Sequence, residues 1–307
     1  MNICIVGCGA IGSLFAAHLA RLEEVTVYAF DVSQEHVDAI NGAGLTLSGA
    51  ANFTAKVIAT TDPSEIPQCQ YGMVATKSNH TQAAIESTAH VFSDQGAVCS
   101  VQNGVGNEEI LAKHVRYVIR GTTFPAGHII QPGKVGYDIA GDTWIGPFEP
   151  SGTPMERVEE LAALITKGGM KTEPLEDARG AQWTKLIFNA ATNPVGALTL
   201  LHHGAATYFG PTGQLFERLI EEGERVAEAA GFNLHGDPRD MVLKGAQAPG
   251  KHNASMLQDV LAGRPTEVEV MNGAIVEWGK RTGVPTPLHE TVRGLIKGLE
   301  HSWTDPS

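Results

Sequence analysis

Through the first half of the chain, short apolar runs alternate with segments of helical spacing, the pattern left by strands whose connecting helices cover both faces of a sheet. The run ending at Val6, then Val25–Phe30, Lys56–Thr60, Tyr71–Thr76 and Ala97–Val101, predict strands in that order. This alternation predicts a parallel, doubly wound sheet. From about Pro154 the pattern changes. Met155–Lys167 has helical spacing, Met170–Pro174 is short and strand-like, and everything after Asp177 reads as helix separated by Gly, Pro and Asn turns. The predicted class is α/β, with a dinucleotide-type sheet domain over residues 1–176 and an all-α domain over 177–307. Neither a repeat nor a flexible linker separates them, so the two are expected to abut and leave a cleft, a common ligand site.

The first strand hands over to a helix through Gly7-Cys8-Gly9-Ala10-Ile11-Gly12, a G-x-G-x-x-G. Dinucleotide binding needs this arrangement: the first glycine turns tightly, the second lets backbone N–H groups approach a pyrophosphate, and the third lets helix and strand pack closely. The residues Gly7, Cys8, Gly9, Ala10, Ile11 and Gly12 are therefore expected at a cofactor. Asp31 follows Gly12 by 19 positions, at the end of the second predicted strand. An acid there hydrogen-bonds the adenosine ribose and repels a 2′-phosphate, which favours NAD(H) over NADP(H). No Lys or Arg occurs between Asp31 and Lys56 to receive that phosphate. The competing reading is that Asp31 simply caps the next helix together with Ser33.

Composition narrows the partners. Lys and Arg total 22 against 34 Asp and Glu, a net charge of −12, which argues against nucleic acid or an anionic membrane surface. Cys4, Cys8, Cys69 and Cys99 lie in or beside apolar runs without metal-ligand spacing, and read as reduced core thiols; no metal is expected. No signal peptide or membrane span is read from the sequence, so the expected location is the cytoplasm.

Two later segments carry polar residues where apolar ones would be ordinary. Lys185, Asn189 and Asn193 stand at i, i+4 and i+8, one face of a helix whose other directions hold Leu186, Ile187 and Phe188. Asn is a poor helix-interior residue, so two on the face of a lysine suggest polar recognition rather than a solvated surface. Glu267 and Glu269 open an amphipathic segment, where first-turn acids ordinarily serve the helix dipole. His202 and His203 read as loop residues after a helix.

Taken together, these segments resemble the ketopantoate reductase (2-dehydropantoate 2-reductase) family over nearly the whole chain. The resemblance rests on Gly7–Gly12, Thr76-Lys77, Gln102-Asn103-Gly104-Val105-Gly106, Gly121-Thr122-Thr123, Trp183-x-Lys185-x3-Asn189-x3-Asn193, and Ser255-Met256-Leu257-Gln258-Asp259 followed by Thr266-Glu267. It implies a Rossmann-type N-terminal domain and a helical C-terminal domain like that of 6-phosphogluconate dehydrogenase. It also implies Lys185 as catalytic lysine, Glu267 as the acid holding a substrate hydroxyl, and Asn189, Asn193 and Ser255 at the substrate. Asn103 and Lys77 match positions near the nicotinamide and cofactor. Members of the family mostly carry a basic residue after the second strand and use NADPH, whereas this chain reads Phe30-Asp31-Val32-Ser33.

The expected activity is hydride transfer between a nicotinamide cofactor and a small hydroxylated 2-keto acid, ketopantoate first. The alternative is an NAD-dependent catabolic dehydrogenase of another small hydroxy acid, since NAD dependence permits oxidation; NADP(H) stands as the alternative cofactor from the family pattern. A non-catalytic dinucleotide sensor is the third reading, and the intact lysine, asparagine and glutamate set weighs against it. Apolar stripes on the C-terminal helices offer a surface for a homodimer.

Overall fold

The computed structural model describes residues 1–247 and 253–304. The chain separates into two compact units, Met1–Gln102 with Asn107–Ala178, and Asn103–Gly106 with Arg179–Ser307. The first holds strands β1 (Asn2–Val6), β2 (Thr26–Phe30), β3 (Leu45–Gly49), β4 (Phe53–Ala55), β5 (Ile58–Thr60), β6 (Cys69–Val74), β7 (Phe92–Ser100), β8 (Tyr117–Thr123), β9 (Ala126–Gln131), β10 (Lys134–Ile139), β11 (Thr143–Pro147) and β12 (Thr172–Pro174). Its helices are α1 (Ala10–Leu19), α2 (Gln34–Ala43), α3 (Thr81–Thr88), α4 (Asn107–Leu111) and α5 (Met155–Gly168).

Eight strands form the main sheet in the order β12-β11-β8-β7-β6-β1-β2-β5. Neighbours are parallel except β8 and β11. Along β1, Ile3 and Ile5 enter the core shared with α1 and α5, while Cys4 and Val6 enter the core shared with α3 and α4. A strand buried on both faces has no polar side to show, which is why it reads as a continuous apolar run. Chain order reverses between β1 and β6, the switch point where doubly wound sheets bind ligands at their strand C-termini.

Two features depart from the expected pattern. The main sheet carries one antiparallel pair, and a second sheet of order β4-β3-β10-β9 packs against α1. The strands not expected from the sequence are short, half-exposed or polar in composition: β9 has four exposed residues in a row, and β8, though buried, contains Arg120 and two threonines. Such segments look polar without the sheet that covers them. The expected strand Lys56–Thr60 is reduced to Ile58–Thr60, and Ala97–Val101 is the end of a strand that begins at Phe92.

The second unit is helical: α6 (Arg179–Thr199), α7 (His203–Tyr208), α8 (Gly210–Ala229), α9 (Pro238–Gln247), α10 (Ser255–Leu261), α11 (Ala274–Thr282) and α12 (Pro287–Ser302). Nearly every residue of α6 from Gly180 to Ala197 is buried, and α8, α9, α10 and α12 pack around it. Its core gathers Trp183, Ile187, Phe216, Leu219, Met271 and Ile296. A π-helical turn, Glu269–Gly273, leads into α11. His202 lies in the connection after α6, as expected, and caps α7 by accepting the Ala205 N–H, whereas His203 is not a loop residue: it opens α7 and is buried, its Nε2 3.0 Å from the Val242 carbonyl. The cap has a local cause, since a histidine ring nitrogen can take the capping role usually given to Ser or Asp.

Candidate functional site

In the sheet unit the glycine turn joins the end of β1 to α1. A Cβ added at Gly12 would lie 2.0 Å from the Gly7 carbonyl oxygen, so helix and strand can meet only through glycine here. Gly9 is different. A Cβ there would meet nothing within 4 Å, so no contact among the described residues requires glycine at this position. Gly9 caps α1 without a side-chain hydrogen bond, and the first turn has no acidic residue, leaving backbone donors and positive dipole for an anion. Cys8 is buried against Ser13, and burial pushes its thiol pKa up to about 12, so it packs rather than reacts. Ala10 and Ile11 are half-buried in the first turn.

Both carboxylate oxygens of Asp31 are bonded to backbone N–H groups. Its Oδ1 accepts the Ser33 N–H at 2.9 Å, and its Oδ2 accepts the Cys8 N–H at 2.8 Å, tying the end of β2 to the glycine turn. Ser33 caps α2. Lys77 follows β6 on the other side of the switch point. Gln102 fixes that loop, its Nε2 donating to the Thr76 carbonyl at 3.0 Å and to Thr81 Oγ1 at 2.7 Å. These residues fit a dinucleotide: an open glycine cradle, a helix N-terminus, and a carboxylate held beside the turn.

In the helical unit, Lys185, Asn103 and Glu267 come together. Lys185 Nζ donates to Asn103 Oδ1 at 3.0 Å, and Asn103 Nδ2 donates to Glu267 Oε2 at 3.3 Å. The segment carrying Asn103 is docked by two further bonds: Val105 N–H to the Val270 carbonyl at 3.2 Å, and Gln182 Nε2 to the Gly104 carbonyl at 3.3 Å. Gln182 was not singled out from sequence, because its partner lies 78 residues away. Desolvation draws the Lys185 pKa from 10.5 down to about 8, with Glu267 pulling the other way.

Asn189 and Asn193 are 7% and 5% exposed on α6. Asn193 Nδ2 lies 3.8 Å from Met271 Sδ. The side chains of Asn189 and Ser255 make no hydrogen bond among the described residues, Ser255 being half-buried at the start of α10, which packs on α6. Buried amides ordinarily find partners, which sets Asn189 apart from Asn103 and Asn272. Glu269, by contrast, is exposed and paired with Arg293 at 2.7 Å. Among the described residues no group of three or more His, Cys, Asp and Glu is arranged to hold a metal, and no helix is long and apolar enough to cross a membrane.

A doubly wound sheet with an open glycine turn, joined in one chain to a helical unit presenting lysine, carboxylate and amides, is the plan of an NAD(P)-dependent oxidoreductase acting on an alcohol or carbonyl carbon. Comparison with known proteins narrows the class. The ketopantoate reductase PanE/ApbA family pattern matches residues 3–150, and its C-terminal pattern matches residues 177–300; the chain belongs to this family. It is 34% identical to a 2-dehydropantoate 2-reductase of Archaeoglobus fulgidus over 97% of this chain and 98% of that one. The crystal structure of a PanE/ApbA family ketopantoate reductase from Ralstonia eutropha JMP134 superimposes with a TM-score of 0.87 at 29% identity, covering 99% and 100% of the two chains. D-mandelate dehydrogenase, solved with NADH and anilino(oxo)acetate, has a TM-score of 0.89 at 22% identity over 99% and 100%, a likeness of fold.

Proposed function

We propose that the protein reduces ketopantoate to pantoate, with Lys185 as proton donor and Glu267, Asn189, Asn193 and Ser255 as substrate ligands. The observation that carries this reading is the Lys185–Asn103–Glu267 chain: a desolvated amine and a buried carboxylate bridged by an amide, with Asn189, which makes no side-chain hydrogen bond among the described residues, on the same helix face. The turn Gly7–Gly12, Asp31 and Lys77 would hold the nicotinamide dinucleotide, which supplies the hydride when bound. As a hydride reaches the carbonyl carbon, the carbonyl π electrons move to oxygen. The Lys185 ammonium stabilises that growing charge and then transfers its proton to it, giving the hydroxy acid and a neutral amine that regains a proton from water. Asn189, Asn193 and Ser255 can hold a carboxylate and hydroxyl without adding charge, while Glu267 accepts from a substrate hydroxyl.

The Lys185 pKa gives this mechanism a pH signature. Reduction needs the protonated amine, so kcat/KM should fall about tenfold per pH unit above about pH 8, and oxidation of the hydroxy acid should rise through the same range to a plateau. A reductive profile flat to pH 10 would remove Lys185 as the acid.

For the cofactor we infer NAD(H). Asp31 is fixed beside the glycine turn, and a 2′-phosphate brought there would meet its charge. The expected preference for NADH over NADPH with ketopantoate is about 100-fold in kcat/KM, equivalent to about 2.7 kcal/mol. Asp31→Asn should narrow it, chiefly by improving NADPH. Faster turnover with NADPH in the unaltered protein overturns this assignment. Asp31 also favours a second reading, an NAD-dependent dehydrogenase of another small hydroxy acid. A panel of hydroxy acids with NAD, run beside ketopantoate with NADH, separates the two by which substrate has the higher kcat/KM.

A further inference from the structure

We infer that Asn272 is a positioning residue: it tethers the lysine-bearing helix α6, at the point where Pro194 breaks its hydrogen bonding, to the π-turn that follows Glu267. This rests on the reading that Lys185 and Glu267 act on one substrate. Pro194 lies inside α6 and has no N–H, so the Ala190 carbonyl, four residues earlier, loses its helical partner. Asn272 Nδ2 donates to that carbonyl at 2.8 Å. Its second bond runs to His289 Nδ1 at 3.0 Å, and His289 Nε2 lies 2.9 Å from the Leu219 carbonyl on α8.

Every donor in this chain is fixed by its two ends. Carbonyl oxygens only accept, so Asn272 must present its amide nitrogen to Ala190, and His289 must carry its proton on Nε2 to reach Leu219. Nδ1 is then the acceptor for the second Asn272 hydrogen. Asn272 and His289 are each 0% exposed, and burial lowers the His289 pKa to about 4, which keeps the ring neutral. The start of α12 is anchored as well, since Glu222 of α8 accepts the Leu288 and His289 N–H groups at 3.1 and 3.2 Å.

What the tether joins is the candidate site. Ala190 stands between Asn189 and Asn193 and five residues beyond Lys185, while Asn272 sits in the turn entered from Glu267. The same turn supplies the Val270 carbonyl on which the Asn103 segment docks. Fixing Asn272 against Ala190 therefore fixes Lys185, Asn103 and Glu267 relative to one another. A π-turn, with its one extra residue, displaces the following helix face, and such turns recur at functional sites.

The experiment separates the tether from mere satisfaction of the carbonyl. Asn272→Leu cannot donate, whereas Pro194→Ala restores an N–H to the Ala190 carbonyl within the helix. Wild type, both single variants and the double variant are compared by thermal unfolding and by steady-state kinetics, using whichever keto or hydroxy acid the wild type turns over fastest. Asn272→Leu is expected to lower Tm by about 3–10 °C and kcat by about 10- to 100-fold, with KM changing less. In the double variant Tm should recover in part, because the Ala190 carbonyl regains a donor while His289 Nδ1 does not, and kcat should stay low. Wild-type kcat in Asn272→Leu, or kcat restored along with Tm in the double variant, overturns the inference. Should Asn272→Leu fail to fold, Pro194→Ala against the double variant decides: equal kcat overturns it, and a tenfold or greater loss in the double supports it. Failure of the wild type with ketopantoate is read separately, because the variant-to-wild-type ratio is taken on the preferred substrate.

Discussion

Lys185→Ala is expected to lower kcat/KM for ketopantoate by about 1,000-fold or more while leaving dinucleotide affinity within about twofold. Two contributions meet in this one amine. Proton donation is worth about 100- to 10,000-fold, and a charge aimed at the developing alkoxide about 100- to 1,000-fold; because one group supplies both, the losses do not multiply. Dinucleotide affinity should survive because the glycine turn and Asp31 belong to the sheet unit, whereas Lys185 belongs to the helical one. Lys185→Arg sharpens the test. It keeps the charge but holds its proton too firmly near neutral pH, so it should recover only part of the loss and abolish the alkaline fall in rate above about pH 8. The measurements are steady-state rates against pH and a fluorescence titration with the dinucleotide. Turnover retained in Lys185→Ala would end the assignment.

What could be read along the chain and what could not divide by range. The glycine turn is legible because its spacing is local, and a Cβ at Gly12 would lie 2.0 Å from the carbonyl oxygen of Gly7 in the same turn. The Lys185–Asn189–Asn193 face is legible because helical periodicity is local. By contrast, Asn103 meets Lys185 across 82 residues and Glu267 across 164, and its segment groups with the helical unit although the residues on either side belong to the sheet. The second sheet escaped for a related reason: β3 pairs with β10 across a long separation, and strands with one wet face carry little apolar signal of their own. Pro194 was visible in the sequence, but the identity of the group that answers its missing N–H was not, since Asn272 lies 82 residues beyond Ala190.

The reading of Glu267 makes a claim about substrates that Lys185 does not. Glu267 is 4% exposed, and Asn103 Nδ2 already donates to its Oε2. A buried carboxylate that can accept one more hydrogen bond favours a substrate with a hydroxyl and penalises one without it, because the analogue removes water from the carboxylate and gives nothing back. The unaltered enzyme should therefore prefer ketopantoate over 3,3-dimethyl-2-oxobutanoate, the same keto acid without its hydroxyl, by about 1,000-fold or more in kcat/KM. Glu267→Ala should cut activity on ketopantoate steeply, leave the poor activity on the analogue nearly unchanged, and so reduce the preference to about tenfold or less. Glu267→Gln separates hydrogen bonding from charge. Its amide oxygen still accepts, so part of the preference should remain. Loss of the negative charge, which now opposes desolvation at Lys185, should move the alkaline limb of the reductive profile below about pH 8. Equal discrimination in wild type and Glu267→Ala would place the hydroxyl elsewhere, and an unmoved limb in Glu267→Gln would uncouple the carboxylate from the amine that Asn103 joins to it.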